Sequence, residues 1–235
     1  MIFAAGLGTR FKPWTDHHPK ALAVVNNKSL LQRNVEYLQQ YGITDVVVNV
    51  HHFPDQIIET INHHQGWGSK ITISDESNDV LETGGGLLKA RTLLEDDGPF
   101  ITLNADILTD LNIHDLIAYY QQQQALISFG ISNRKSTRNF LFDHENRLCG
   151  WENNSTGEKK LSIHKEPLHA MAYSCVAVFD QSVFDLIPQR GKFSLTETYL
   201  SLAADYRIMG MDCSSDRFVD VGKPESVEIA ASLFP

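Results

Sequence analysis

The chain has 235 residues, of which 42% are hydrophobic and 21% are charged, which is enough for one large core with room for a subdomain. Its formal net charge is −9, from 20 Lys and Arg against 29 Asp and Glu. This balance argues against a general nucleic-acid binder, which would more often be basic. An acidic protein that handles an anion must gather its few cations locally, and Arg10, Lys12 and Lys20 form such a group.

Cysteine use and hydropathy point to a cytoplasmic protein that is a monomer or a small homo-oligomer. Cys149, Cys175 and Cys213 are odd in number and lack metal-ligand spacing, so they predict reduced thiols. The sequence has no run of about 18 apolar residues and no signal peptide, so no membrane partner is predicted. Because a central strand normally begins a few residues earlier than this one, the natural start is expected upstream of Met1.

Strand and helix patterns alternate from the start of the chain to residue 131. The predicted elements are strand 1–5, helix 29–42, strand 45–50, helix 54–64, strand 70–76, helix 86–94, strand 99–106, helix 113–124 and strand 125–131. This order predicts an α/β fold with three layers, in which helices cover both faces of a mostly parallel central sheet. Since such sheets bind ligands beyond the carboxyl ends of their strands, the chemistry is expected in the loops after Ala5, Val50, Glu76 and Ala105.

The second half of the sequence has a different pattern, with shorter elements. The predicted elements are a hairpin over 139–151, an exposed polar turn over 152–160, a strand over 172–180, helices near 181–188 and 195–206, strands over 207–212 and 217–221, and a helix after Pro224. The sequence has no repeat and no linker. It therefore predicts one domain over 1–235, with a first half over about 1–131 and a second over about 132–235.

The loop after the first strand carries Gly6 and Gly8, which by themselves indicate only a tight turn. A dinucleotide fingerprint is excluded because its third glycine position is Phe11, and no P-loop pattern is present. What remains is a loop whose amides can approach a triphosphate. Arg10 would bind phosphate through two nitrogens, and Lys20 would supply a point charge.

The stretch "AAGLGTRFKPWT", followed by "PKAL", resembles the signature of the sugar-1-phosphate nucleotidylyltransferases, G-x-G-T-R and then P-K-x-L. Three further segments agree with this family. "ETGGGLLKA" at 82–90 resembles its second glycine turn, "NAD" at 104–106 resembles the end of its central strand, and "FVDVGKPE" at 218–225 resembles its late aspartate motif. The motifs occur in the family's order over nearly the whole chain.

The resemblance implies a Rossmann-like nucleotidyltransferase fold with a small β-hairpin insertion for the sugar. The half over 1–131 would bind the nucleotide, and the half over 132–235 would bind the sugar and complete the metal site. The implied reaction transfers a nucleotidyl group from a nucleoside triphosphate to a sugar 1-phosphate with Mg²⁺. The E-T-G-G-G stretch resembles that of the N-acetylmuramate-1-phosphate uridylyltransferases. UTP with N-acetylmuramate 1-phosphate is therefore expected, and GTP with mannose 1-phosphate, or another hexose or heptose 1-phosphate, is the alternative.

The same resemblance assigns site residues. Arg10 and Lys20 would act in catalysis. The residues expected to bind the nucleotide are Ala5, Gly6, Gly8, Thr9, Glu82, Gly84 and Gly85. Glycines there would let a flat base lie against the backbone. Glu82 would accept a hydrogen bond from the base or ribose, or else be a solvated charge.

Asp106 and Asp220 each follow an apolar stretch, where a carboxylate is costly without a cation or several donors. Their spacing does not show that they meet. The resemblance implies that they do, as the pair that holds Mg²⁺, which prefers such oxygens. Asn104 and Asp110 compete for this role, although Asp110 is better explained as a helix cap. The adjacent histidine pairs are poor chelators, so zinc is not predicted.

The sugar is expected near the hairpin and the strand over 172–180. The residues expected to contact it are Asn104, Asn139, Glu152 and Ser174. The lactyl carboxylate of a muramic acid would need a cation, for which Arg138, Lys165 and Lys192 remain open. Lys165, in "HKEP", resembles the lysine of the family's E-K-P, with the residue order changed.

Two rival interpretations remain. A non-catalytic nucleotide-sugar-binding regulatory protein on the same fold would keep the glycine loops and lose charged catalytic positions, but Arg10, Lys20, Asp106 and Asp220 are all present. A cytidylyl- or molybdopterin-type transferase would share the glycine start but not "ETGGG" or "FVDVGKPE". If the two aspartates meet and hold Mg²⁺, Asp→Asn at either position should abolish turnover because it removes a metal ligand. It should not lower stability in metal-free buffer, because two carboxylates held close together repel each other there.

Overall fold

Short strands and helices alternate along the chain in the computed structural model, which describes residues 1–95 and 98–235. The strands, in chain order, are β1 (Ile2–Phe3), β2 (Val24–Val25), β3 (Lys28–Ser29), β4 (Asp45–Val50), β5 (Lys70–Asp75), β6 (Phe100–Asn104), β7 (Ile107–Thr109), β8 (Ile127–Ser132), β9 (Arg138–Phe142), β10 (Leu148–Asn153), β11 (Glu158–Leu161), β12 (His169–Phe179), β13 (Ile208–Asp212) and β14 (Phe218–Asp220). The α-helices are α1 (Leu30–Gln39), α2 (Pro54–His63), α3 (Glu82–Lys89), α4 (Arg91–Leu94), α5 (Ile113–Gln123), α6 (Val183–Leu186), α7 (Leu195–Leu202) and α8 (Ser226–Leu233).

The described residues divide into two compact units. The first unit holds Met1–Glu95, Leu103–Asp110 and Arg217–Pro235. The second holds residues 98–102 and Leu111–Asp216. The chain therefore leaves the first unit and returns to it twice, so that segments far apart in sequence belong to one core. The proposed functional halves over 1–131 and 132–235 stay a prediction.

The first unit contains parallel strands in the order β6-β1-β4-β5, to which β6 contributes Leu103 and Asn104. Ile2 of β1 lies opposite Leu103 on one side and Val48 on the other, and Val48 lies opposite Ile73. Ile2, Val48 and Leu103 are fully buried, as expected for the apolar, β-branched strands of a parallel sheet. The predicted α/β fold with a mostly parallel central sheet is confirmed.

Several boundaries in the first unit agree with the sequence. β4 spans Asp45–Val50 as predicted. The Ser29 side chain accepts a hydrogen bond from the Gln32 amide and so caps α1, at the first residue of the predicted helix. Helix α2 starts on Pro54, whose missing N–H costs nothing at a first helical position.

The prediction for the glycine helix was wrong in its start. We expected a helix over 86–94, but α3 begins at Glu82 and Arg91–Leu94 forms a separate short helix. Glycines 84–86 therefore lie inside α3 rather than before it. Glycine normally destabilises a helix interior, but the close approach of Glu76 to Gly86 leaves no room for a larger residue there.

A short strand pairing was missed. The predicted strand over 99–106 ends at Asn104, and after a two-residue turn β7 pairs antiparallel with β14. Each of these strands has three residues, too few for a period-2 pattern to be recognised.

The predicted cap at Asp110 was also wrong. The N-cap of α5 is Asn112, whose Oδ1 accepts from the His114 amide at 3.0 Å. Asp110 instead accepts two hydrogen bonds from Arg217, one from the backbone N and one from Nε, each at 2.7 Å. These bonds join the segment after β7 to the segment before β14.

The second unit contains the strand order β11-β10-β9-β12-β8-β13. The predicted hairpin is confirmed as β9 and β10, with Phe140 opposite Trp151. The exposed polar turn predicted over 152–160 was wrong in part, because Glu158–Leu161 forms β11 and pairs with β10. The core of this unit holds a cluster of aromatic rings in mutual contact, contributed by Phe129, Phe140, Phe142, Tyr173 and Tyr199.

Two further properties of the chain concern its cysteines and its helices. Cys149, Cys175 and Cys213 are all free thiols. Within the described ranges, no helix combines the length and the apolar character needed to cross a membrane.

Candidate active site

An apolar cluster in the first unit contains the sequence neighbours of two predicted charged residues, Arg10 and Asp220. Its buried members are Phe11, Ala23, Val25, Leu30, Leu108, Val219, Val221 and Ala230. Val219 and Val221 are buried in this cluster, and Asp220 between them is exposed, as the alternation of an extended strand requires. Packing on either side of Asp220 therefore fixes the position of its carboxylate.

The loop after β1 is shaped by Gly8. It has φ +62, and a Cβ there would lie 2.8 Å from Thr15 Cγ2 and 3.1 Å from Lys20 Cβ. The Gly8 carbonyl accepts hydrogen bonds from the Phe11 amide at 2.8 Å and from Thr15 Oγ1 at 2.9 Å. Gly6, in contrast, is exposed with open space around its missing side chain, so its backbone can be approached by a ligand.

Lys20 and Asp106 form the tightest charged contact of this region. Lys20 Nζ lies 2.5 Å from Asp106 Oδ2, and the two side chains are 9% and 29% exposed. An ammonium group has three donors, so two remain for other acceptors. The pair therefore holds a buried cation in place while part of the carboxylate still reaches solvent.

Arg10 and Asp220 form a looser pair. Arg10 Nη2 lies 3.8 Å from Asp220 Oδ2, and the side chains are 61% and 46% exposed. Gly222 permits this arrangement, because a Cβ there would lie 2.8 Å from Arg10 Nη2 and 2.7 Å from Asp220 Oδ1. The guanidinium thus keeps most of its donors open to an incoming anion.

The β7–β14 pairing brings the two predicted metal ligands onto adjoining segments. Asp220 lies opposite Ile107 in the register, and the Val221 amide donates to the Asp106 carbonyl at 2.9 Å. Two carboxylates on adjoining segments supply the oxygen ligands that Mg²⁺ prefers. Within residues 1–95 and 98–235 there is no group of three or more His, Cys, Asp or Glu residues able to hold a metal, so further oxygens would come from phosphate or water.

The sequence missed Asn34, which fixes the turn that carries Asp106. This side chain lies on the buried face of α1, and its Nδ2 donates to the carbonyls of Ala105 at 3.0 Å and Ile107 at 3.1 Å. The signal for it was a polar residue among the apolar positions of α1, which is unfavourable unless hydrogen-bonded.

The second glycine segment begins with a strained residue. Glu82 has φ +59, a left-handed conformation that costs a non-glycine residue free energy. Gly84 and Gly85 are buried in α3 behind it. A strained position at a segment predicted to bind the nucleotide favours a functional interpretation of Glu82.

Glu76 is a second residue that the sequence did not single out. It is fully buried at the end of β5, and its Oε1 accepts from Asn49 Nδ2 at 2.7 Å. Burial raises the pKa of this carboxyl above its usual value, and Oε2 has no hydrogen-bond partner among the described residues. A buried, partly unsatisfied acid is costly and calls for an explanation.

The residues predicted to contact the sugar are distributed over both units. Asn104 lies at the end of β6 in the first unit. In the second unit, Asn139 and Glu152 lie opposite each other on β9 and β10. Ser174 is buried, and its Oγ lies 3.1 Å from Cys213 Sγ, so this hydroxyl already has a partner. The binding roles of all four stay predictions.

Lys165 forms an ion pair with Asp143 in the second unit. Its Nζ lies 2.6 Å from Asp143 Oδ2, and the side chains of lysine and aspartate are 41% and 2% exposed. Asp143 Oδ1 accepts from the amides of Glu145 and Arg147. Burial opposes ionisation of Asp143, but the hydrogen bonds from Lys165 and these amides outweigh it and lower the pKa of Asp143.

Comparisons with known proteins point to one family. The family model described as nucleotidyl transferase matches residues 1–147. A mannose-1-phosphate guanyltransferase of Yarrowia lipolytica is 27% identical over 236 residues, which cover 100% of this chain and 63% of that protein. An N-acetylmuramate alpha-1-phosphate uridylyltransferase of Caulobacter vibrioides is 41% identical over 108 residues, which cover 45% of this chain and 44% of that protein.

The fold has solved counterparts as well. The crystal structure of HddC from Yersinia pseudotuberculosis superimposes with a TM-score of 0.81 and 22% identity, and the match covers 100% of this chain and 98% of that one. At this identity the likeness shows the fold alone. The chain spans 63% of the length of the Yarrowia relative, so what the whole relative does is not thereby transferred.

Proposed function

We propose that this chain, which belongs to the nucleotidyl transferase family, transfers a nucleotidyl group from a nucleoside triphosphate to a sugar 1-phosphate. One observation carries the proposal. Two cations from the first loop, Arg10 and Lys20, are each paired with a carboxylate on the joined segments after β6 and on β14. Such a set of alternating charges suits a reaction between two anions.

In the proposed reaction an oxygen of the sugar phosphate attacks the α-phosphorus of the triphosphate. The bond from the α-phosphorus to the bridging oxygen breaks, and pyrophosphate leaves with that oxygen. Because both reactants are anions, catalysis consists of positioning them and neutralising their charge. Because the sugar phosphate attacks the α-phosphorus directly, this scheme requires no nucleophile from the protein.

Each cation has a role that follows from its surroundings. Lys20 is buried and held by Asp106, so its two remaining donors are directed toward a fixed place, where they would bind the α-phosphate or the incoming phosphate. Arg10 is exposed and loosely paired, so its planar group would follow the β- and γ-phosphates and the departing pyrophosphate.

Asp106 and Asp220 would hold Mg²⁺, and both fit this cation because they are partly exposed carboxylates on adjoining segments. When bound, the ion would neutralise charge on the phosphates. Asn34 would orient Asp106 by holding the carbonyls on either side of it.

The proposed nucleotide site comprises both glycine segments of the first unit. The backbone at Ala5, Gly6, Gly8 and Thr9 would surround the phosphates. Gly84 and Gly85 would leave room for the base, and Glu82 would accept a hydrogen bond from the base or ribose.

For the substrates, we propose UTP and N-acetylmuramate 1-phosphate. The 41% identity to the Caulobacter uridylyltransferase over part of the chain, and the E-T-G-G-G stretch, support this choice. GTP with mannose 1-phosphate is the second candidate, supported by the 27% identity to the Yarrowia guanyltransferase over the entire chain. In the second unit, Asn139 and Glu152 are the proposed sugar contacts. Arg138, Lys165 and Lys192 remain candidates for binding a lactyl carboxylate.

A matrix of substrates tests the proposal. UTP, GTP, CTP, ATP and dTTP are each combined with N-acetylmuramate, mannose and glucose 1-phosphates in the presence of Mg²⁺, and pyrophosphate release is measured. We expect the highest kcat/KM for UTP with N-acetylmuramate 1-phosphate. A clear preference for GTP with mannose 1-phosphate would overturn the substrates and leave the reaction class intact.

The regulatory-protein alternative is distinguished by the same matrix together with a binding measurement. Calorimetric binding of a nucleotide sugar without pyrophosphate release from any combination would reject the enzyme. The variant Lys20→Met serves as the negative control, since it removes the charge at constant length.

A further inference from the structure

We propose that Glu76 is a positioning residue that holds the two nucleotide-binding segments of the first unit in register, through Asn49 on one side and Gly86 on the other. The inference rests on the proposed function, because it concerns the same nucleotide site. It concerns a residue that is fully buried and therefore not placed to contact a ligand itself.

The first connection runs from Glu76 to the loop after β1. Asn49, near the end of β4, donates from Nδ2 to Glu76 Oε1 at 2.7 Å and accepts from the Ala4 amide at its Oδ1 at 2.8 Å. Ala4 immediately precedes the loop that carries Gly6 and Gly8. One buried amide thus joins the ends of three parallel strands and fixes where the phosphate-binding loop begins.

The second connection is steric and runs from Glu76 to α3. A Cβ at Gly86 would lie 2.6 Å from Glu76 Oε1 and 2.9 Å from Asn49 Nδ2. The backbone of the glycine helix therefore lies directly against the carboxyl group and the amide. The separation between α3 and the strand ends is set by this contact, and Glu82 to Gly85, four residues of α3, precede it on the same helix.

The chemistry of Glu76 explains why a carboxyl group is tolerated there. Burial raises the pKa of Glu76, and the charge of Asp75 adds to this rise. The hydrogen bond from Asn49 and the charges of Lys89 and His51 lower the pKa, but they do not outweigh burial. A glutamine side chain has nearly the same shape as glutamate and keeps an oxygen that can accept the hydrogen bond from Asn49. The variant Glu76→Gln should therefore keep the positioning role of this residue, whereas Glu76→Ala should lose it.

Nucleotide binding by two variants of Glu76 and a control variant tests the proposal. The dissociation constants of UTP and GTP are measured by calorimetry for the wild-type chain, Glu76→Ala, Glu76→Gln and Tyr120→Phe. The last variant removes the hydrogen bond from Tyr120 to Asp180 in the second unit and controls for the loss of a bond to a carboxylate. We expect Glu76→Ala to bind the preferred nucleotide about tenfold or more weakly, and Glu76→Gln and Tyr120→Phe to bind within about threefold of wild type.

Hydrogen exchange separates positioning from a general loss of stability. In Glu76→Ala, exchange should increase in residues 4–9 and 82–88 and stay unchanged in β8 and β13 of the second unit. Asn49→Ala should affect mainly residues 4–9, because it breaks the bond to Ala4. Gly86→Ala should affect mainly residues 82–88, because it displaces α3.

The outcomes distinguish failure of this inference from failure of the proposed function. If the wild-type chain binds no nucleoside triphosphate, the proposed function fails. If wild type binds but Glu76→Ala binds equally well, the positioning role is rejected. It is also rejected if exchange increases equally in both units of Glu76→Ala, or if Glu76→Gln loses as much affinity as Glu76→Ala.

Discussion

Two Lys–Asp ion pairs, one in each unit, have nearly the same length and opposite arrangements. In the first unit Lys20 is buried and Asp106 reaches solvent, at a contact of 2.5 Å. In the second unit Asp143 is buried and Lys165 reaches solvent, at a contact of 2.6 Å. The partner that remains accessible therefore differs between the two pairs.

The difference lies in how the buried charge is satisfied. The buried carboxylate of Asp143 also accepts hydrogen bonds from two backbone amides, so Asp143 closes the turn between β9 and β10. The buried ammonium of Lys20 has donors to spare, and its partner Asp106 lies on a turn that joins β14. A satisfied pair of this kind stabilises a turn, whereas a pair with free donors and an exposed oxygen is suited to a ligand.

The largest expected effect comes from the same substitution in the two pairs. Asp106→Asn should lower turnover by about 10³-fold or more, because it removes a charge proposed to hold the metal and to orient Lys20. Asp143→Asn should keep turnover within about threefold, since its role is to close a turn. Steady-state kinetics of both variants at saturating Mg²⁺ make this comparison, and an equal loss of turnover in folded Asp143→Asn would remove the distinction between the pairs.

The structure changes the expectation that both metal-site variants keep their stability without metal. Lys20 already neutralises Asp106, so Asp106→Asn leaves a buried ammonium without its charge partner and should lower the free energy of unfolding by about 2 kcal/mol. Asp220→Asn should lose turnover to the same extent with no loss of stability, because Asp220 is exposed and 3.8 Å from Arg10. Urea unfolding in metal-free buffer measures both values, and a double variant no less active than either single one would support a shared site.

The next effect concerns the exposed cations of the first loop. Arg10→Ala should lower turnover by about 10²-fold, as for the loss of one transition-state contact, with an unchanged melting temperature. Lys12→Ala is the matched control, because Lys12 is similarly exposed and pairs with Asp16 in the same loop, at 2.8 Å. It should keep turnover within about threefold. Equal activity of Arg10→Ala and Lys12→Ala would reject the phosphate-binding interpretation of Arg10.

How far the sequence predicts this site depends on the range of the interactions involved. The buried strand β4, the cap at Ser29 and the hairpin of β9 and β10 follow from local patterns. The charged residues of the first unit were found because they lie in short motifs. The placement of Asp106 and Asp220 on adjoining segments was given only by resemblance, since it depends on two three-residue strands that pair across the chain.

Residues that act by burial were not predictable in the same way. Glu76 ends the predicted strand with the sequence "SDE", which indicates a solvated charge. In the structure, Gly86 and Asn49 pack against its buried carboxyl group. The pairing of Asp143 with Lys165 likewise depends on a turn and a later loop that meet in the fold. Such contacts are long-range consequences of packing, which periodicity does not encode.

The pH dependence of stability sharpens the comparison in the second unit. The pKa of Asp143 is lowered in the folded state, so its contribution is present above the unfolded-state pKa of about 3.9 and is lost as the pH falls through the folded value. At pH 5 to 7 we expect the free energy of unfolding of wild type to exceed that of Asp143→Asn by about 2 kcal/mol, because the substitution weakens three hydrogen bonds to a charged group. Below about pH 4 the difference should shrink, since protonated aspartic acid resembles asparagine. Urea unfolding from pH 3 to 7 measures this, and a difference independent of pH would exclude the charged pair as its cause.

The smallest effect compares one strained residue in each unit. Glu82 has φ +59 in the first unit and Cys175 has φ +58 in the second, where β12 shifts register against β8. Glycine takes this conformation without strain, so at both positions the glycine variant should be more stable than the alanine variant by about 1 kcal/mol. Comparing glycine with alanine removes the contribution of the original side chain from the difference.

The two positions should differ in function, because only Glu82 lies in a proposed nucleotide segment. Both Glu82 variants should bind UTP more weakly, by about fivefold for one lost hydrogen bond, and both Cys175 variants should bind it as wild type does. Thermal unfolding and calorimetric titration of the four variants give the two sets of values. Weaker UTP binding by the Cys175 variants, with unchanged binding by the Glu82 variants, would contradict the proposed role of Glu82.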